Sequence, residues 1–203
     1  MENNGGLAER SNAAVLKTAL LGTVTGVRIP EPPQQIRSFR SDFFMIYKNS
    51  MESNDVISFT SPIDESYVVT VIYPESDYYS GIKSMLDQIG GSIAALIVGE
   101  KMILVDGQEL EKIDIDQFKA VQAHEICHSI LDHTSELSEE EEVEADLSAI
   151  HLLLELNEIK ASESLSERLL SQRGIEYSNS SFGSLLSERS LRLYTDYLEG
   201  IRK

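Results

Sequence analysis

Residues 124–128 read His124-Glu125-Ile126-Cys127-His128, and these types at this spacing put one particular chemistry within reach. On a helix, positions four apart lie one turn apart on the same face. Both imidazoles can then ligate one zinc ion while the intervening Glu125 reaches a water on that ion. Such a glutamate is placed to act as general base and then general acid in a hydrolysis. Two histidines do not complete a catalytic zinc site, which needs three protein ligands and an open position, so a further ligand is expected downstream.

The expected source is the helix opened by Ser138-Glu139-Glu140-Glu141-Glu142. At about 100° per residue, Glu142 and Asp146 fall on the face that carries Val143, Ala149, Ile150, Leu153 and Leu154, whereas Glu144, Ser148 and His151 fall away from it. Carboxylates among aliphatic side chains are costly unless they are paired or bind a metal. Glu142 is therefore the expected third ligand, with Glu144 in reserve should the helix be rotated. Asp146, one turn later, is expected to accept a hydrogen bond from the second ring nitrogen of a ligating histidine. Glu139, Glu140 and Glu141 suit the positive end of a helix dipole and are expected to face solvent. Cys127 lies about 100° around the helix from His128 and should pack as a small apolar residue, while His151 should face water. Charge on a reacting carbonyl oxygen calls for one more donor, and His133, Tyr177, Tyr194 and Tyr197 are equal candidates. His133 lies five residues past His128, a poor angle for the same metal.

Taken together, Met102-Ile103-Leu104-Val105-Asp106, the polar connector after it, the run Phe118 to His133, and Glu142-Val143-Glu144-Ala145-Asp146-Leu147-Ser148-Ala149 resemble the gluzincin metallopeptidases, most of all the ImmA/IrrE-type group. The resemblance covers residues 101–155, about a quarter of the chain. Cys127 stands where that group usually has Gly, and Asp146 where it often has Asn. The E-x-x-x-D helix is also similar to that of HtpX-like proteases, whose transmembrane helices have no counterpart here, so a membrane protease is not expected. The resemblance implies His124, His128 and Glu142 as zinc ligands and Glu125 as catalytic acid/base. It further implies Zn2+ as cofactor and a zinc metalloendopeptidase acting on a peptide bond in a specific protein target. The competing expectation is a regulatory or structural accessory protein that keeps the zinc site and hydrolyses nothing. Glu125 weighs against it, because a purely structural site needs no general base and normally closes zinc with a fourth protein ligand.

The elements that must hold these residues are legible in the patterning. Phe43 to Tyr47, Val56 to Phe59 and Tyr67 to Tyr73 are short β-branched and aromatic runs that predict strands. Tyr78 to Ile89 has helical spacing and ends at Gly90-Gly91, and Ile93 to Val98 and Lys101 to Val105 flank a tight turn at Gly99-Glu100. Asp114 or Asp116 supplies an N-cap for the helix that bears the histidines. Leu165, Leu169 and Leu170 mark a further helix, and Leu185 to Ile201 an amphipathic end expected to cover the core. The order predicts an α+β fold: a small, mostly antiparallel sheet packed against a zinc-binding helix pair, with a helical C-terminal segment. Three prolines within Pro30 to Pro33 predict a linker, dividing an N-terminal segment over 1–35 from a single domain over 36–203, with helices over 162–203.

Composition narrows the setting. Seventeen Lys and Arg against 34 Asp and Glu give a net charge of −17, which disfavours nucleic acid as a partner and leaves a protein or peptide substrate. The single cysteine can form no internal disulfide, and the apolar run Ala13 to Val27 is interrupted by Lys17 and too short to span a bilayer. A cytoplasmic protein without membrane contact is expected.

Overall fold

A computed structural model of the chain describes residues 56–88, 93–97, 99–133 and 138–201. The predicted strand Phe43 to Tyr47, the proline-rich linker and the segment 1–35 lie outside the described residues. The fold is α+β, with a four-stranded sheet of order β1-β2-β4-β3. Strands β1 (Val56–Thr60) and β2 (Val68–Ile72) form an antiparallel hairpin, with Val56 opposite Ile72. Strands β3 (Ala94–Ile97) and β4 (Met102–Asp106) form a second. Its turn uses left-handed backbone at Gly99 (φ 89°), which glycine adopts without steric cost, and at Lys101 (φ 48°).

The two hairpins join through β2 and β4, which run parallel, so the sheet is mixed. Helix α1 (Tyr79–Gln88) carries the chain between the hairpins. After this crossover, β3 forms the outer edge and β4 turns back beside β2 in the same direction. Val69, Val71, Ile103 and Val105 on one face of these central strands, and Thr70, Ile72 and Leu104 on the other, are buried, as expected where a parallel pair has both faces covered.

Asp106, the last residue of β4, turns the chain toward the site. Its Oδ1 accepts the backbone N–H of Gln108 (2.9 Å) and the Tyr79 hydroxyl (3.0 Å), and Lys83 Nζ lies 3.1 Å from its other oxygen. The stretch expected as a polar connector thus contains the short helix α2 (Gly107–Leu110). Gly107 packs on the ring of buried Tyr73, so an added Cβ would meet ring carbons at 2.6 to 2.9 Å.

Helix α3 (Ile115–Ile130) carries the histidines and starts at Asp114 through a capping box: Asp114 Oδ1 accepts from Gln117 N–H (2.8 Å) and Gln117 Oε1 from Asp114 N–H (3.0 Å). It packs against β3 on one side and against α4 (Glu139–Glu155) and α5 (Ile159–Arg173) on the others. Phe118 through His128 is buried except Lys119 and Val121. The short helix α6 (Phe182–Leu185) and α7 (Glu188–Ile201) close the core with Phe182, Leu186 and Tyr194. No helix among the described residues is long and apolar enough to cross a membrane.

Gly107→Ala should lower stability by about 1–3 kcal/mol through overpacking against Tyr73. Gly81→Ala, where a Cβ meets nothing within 4 Å, should be neutral or raise stability by up to about 1 kcal/mol through helix propensity. Thermal or urea unfolding of the two variants checks the pair.

Candidate metal centre

Both capping interactions fix the rotation of the helices that build the centre. At α4 the Ser138 hydroxyl accepts from Glu141 N–H (3.1 Å) and Glu141 Oε2 from Ser138 N–H (2.9 Å). Glu141 thereby has a local task, while Glu139 and Glu140 face solvent. With α4 started at Glu139, Glu142 and Asp146 turn toward α3 as their spacing predicts.

His124, His128 and Glu142 each offer a ligand atom, all within 4.8 Å of one another. The two Nε2 atoms are 2.9 Å apart, and each lies 3.6 Å from an oxygen of Glu142. Tetrahedral zinc with ligands at about 2.0–2.1 Å places its donors about 3.3–3.4 Å apart. The three separations bracket that edge, and two imidazoles with one carboxylate are a donor set zinc accepts, so the residues fit the ion.

Asp146 stands where the spacing expects it. Its Oδ1 is 2.8 Å from His124 Nδ1, and since an ionised carboxylate only accepts, the proton is on Nδ1 and the Nε2 lone pair faces the centre. Burial works to raise the Asp146 pKa, but the hydrogen bond from His124 and the charge of Arg168 outweigh it and hold the carboxyl below its usual range. Burial likewise works against a charged His124, and the Asp146 bond with the nearby Glu125 charge nevertheless raises its pKa. For His128, burial and the neighbouring His124 and His133 depress it to about 2, which keeps it neutral and able to donate a lone pair.

Glu125 is not in the ligand group. It sits one residue from His124 on the side of α3 that meets the sheet edge, and its Oε2 accepts the backbone N–H of Leu96 in β3 (2.9 Å). Burial pushes its carboxyl up to about 7, against the lowering effects of His124 and the Leu96 bond. A cleft of about 150 Å³ is lined by His124, Glu125, Glu142, Asp146 and Arg168, and it shares Ile93, Val121 and Arg168 with a larger groove of about 640 Å³.

Several expectations need correction. Glu144, the reserve ligand, turns away from the centre: its Oε1 accepts Ser187 N–H and its Oε2 the Ser190 hydroxyl, both at 2.7 Å. His133 is behind His128, with the two Nδ1 atoms 2.9 Å apart, so it is no fourth ligand. The hydroxyls of Tyr177, Tyr194 and Tyr197 pair with Asn179, His151 and Asp64. His151 does not face open water, because α6 and α7 cover it: its ring stacks on Phe182 at 4.3 Å. Cys127 is fully buried, and burial pushes its thiol up, as a packing role requires.

Sequence reasoning missed Arg168. This α5 residue donates from Nη2 to Asp146 Oδ1 and lies 3.5 Å from His124 Nδ1, and its buried Nε has no acceptor among the described residues. The only signal was a cation between Leu165 and Leu169, both fully buried on the same helix.

Glu142→Ala should abolish tight zinc binding, whereas Glu139→Ala should leave it unchanged, as read by equilibrium dialysis with elemental analysis. Cys127 should resist thiol reagents in the folded protein and react once in denaturant. Comparison of the chain with protein-family models, curated proteins and solved structures gives no match, so the reading of this centre rests on its own geometry and chemistry.

Proposed function

We propose that the chain is a zinc-dependent metallopeptidase of gluzincin type that hydrolyses a peptide bond in a protein target in the cytoplasm. The observation that carries this reading is a buried carboxylate, Glu125, opening into the same cleft as His124 and Glu142, two of the three convergent donors, yet outside the ligand group. A site serving stability alone has no use for such a group and closes zinc with four protein ligands. Here His133, the nearest further histidine, is turned to the Nδ1 side of His128.

Zinc held by His124, His128 and Glu142 would supply Lewis acidity and a water of lowered pKa. The chain's own residues do the remainder. Glu125, oriented by the Leu96 N–H, takes up the proton of the attacking water and returns it to the leaving amine. The guanidinium of Arg168 lines the cleft and is the group we assign to charge developing on the peptide oxygen, in place of the tyrosines. Asp146 keeps His124 in one tautomer and the same Arg168 in place. The adjoining groove, with Ile93 and Val121 at its junction with the cleft, offers room for the chain on one side of the scissile bond.

Glu125→Ala should retain one zinc per chain and lose hydrolysis by about 100-fold or more, measured on a panel of unfolded and folded protein substrates. Equal turnover by the wild type and this variant would end the peptidase reading while leaving the metal centre standing.

A further inference from the structure

The histidine that is not a ligand occupies a position the fold goes to some length to create. Helix α3 ends in a Schellman-type turn: Asp132 adopts left-handed backbone (φ 54°), and the N–H of His133 donates to the carbonyl of His128, 3.0 Å away. That turn lays residue 133 over residue 128, one turn back. Asp132 is not glycine, and its unusual backbone is secured by Arg189, which donates to its carboxylate and its carbonyl.

Proton positions in the resulting chain follow from elimination. Glu144 accepts from Ser187 N–H on Oε1 and from the Ser190 hydroxyl on Oε2, as an ionised carboxylate does. An ionised carboxylate cannot donate, so in the 3.4 Å contact between His133 Nε2 and Glu144 Oε2 the proton belongs to His133 Nε2. A neutral His133 then has a bare Nδ1. The proton shared by the two Nδ1 atoms, 2.9 Å apart, must come from His128. With its proton on Nδ1, His128 has its Nε2 lone pair free, and that atom is the one facing His124 Nε2 and Glu142.

We propose that His133 and Glu144 form a relay, anchored on the start of α7 by Ser187 and Ser190, that fixes the tautomer and ring orientation of His128 for a divalent cation. His133 is thus a positioning residue for the centre without touching the metal, the counterpart on His128 of what Asp146 does for His124. The inference rests on reading His124, His128 and Glu142 as the metal site.

The test uses the full chain with His133→Leu, which fills the space without an acceptor, and His133→Asn, whose side-chain oxygen replaces the bare Nδ1. Zinc affinity is measured by chelator competition and the coordination sphere by the visible spectrum of the cobalt(II) form. His133→Leu should bind zinc about 10–100-fold more weakly with an altered cobalt spectrum, and His133→Asn should recover most of both. Wild-type affinity and spectrum in His133→Leu would overturn the relay. A second measurement needs no metal and no variant: long-range nitrogen–proton NMR of the metal-free wild type should find His128 protonated on Nδ1 and His133 on Nε2. The opposite tautomers would overturn the relay even if the variants fail to fold. If the tautomers are as stated but the wild type takes up no zinc, the relay stands as hydrogen bonding and the metal reading fails.

Discussion

Two imidazole lone pairs directed at one point, 2.9 Å apart, are the constraint around which this molecule is arranged. Each is aimed from behind. Asp146 accepts the Nδ1 proton of His124, and His133 faces the Nδ1 of His128. Nitrogen lone pairs at that distance repel unless a positive charge lies between them, and Glu142 adds a carboxylate to the same side. A divalent cation between the three groups answers the repulsion and the carboxylate together. The cleft around them also holds Glu125 and Asp146, with Arg168 and Arg173 in its lining.

The rest of the fold sets the phase and depth of these groups. A slip of one residue in the start of either α3 or α4 would rotate its side chains by about 100°, which is why both helices begin with reciprocal capping boxes at Asp114 and Ser138. The sheet edge contributes a backbone donor, Leu96, that holds Glu125 in a site too buried to leave its carboxylate unpaired. Helix α5 brings Arg168 across to the buried Asp146. The C-terminal helices finish the core over His151 and hold Glu144 through Ser187 and Ser190. What looks in the sequence like a trailing amphipathic helix is tied into the back of the centre.

The parts of this arrangement that the sequence displays are those carried by local spacing. His124, His128, Glu142 and Asp146 share faces of regular helices, so four-residue periodicity located them, and the Asp114 cap and the two hairpins follow from short-range turn chemistry. The parts it hides depend on contacts between distant segments. Parallel pairing of β2 with β4 is decided by how two hairpins join across α1, which neither hairpin encodes. Arg168 reaches Asp146 from 22 residues away on a helix whose pattern reads as ordinary core. The place of His133 is hidden for a different reason: helical angles do not extend past Leu131, where left-handed Asp132 folds the chain back. His151 sits on a polar helical face that only becomes covered when α6 and α7 pack over it.

Zinc-edge X-ray absorption of the purified protein tests the central claim most directly. The expected result is one zinc with two imidazoles and a first shell of nitrogen and oxygen at about 2.0–2.1 Å, with no sulfur at about 2.3 Å. A protein that takes up no zinc, a sulfur ligand from Cys127, or a shell of three imidazoles including His133 would contradict it.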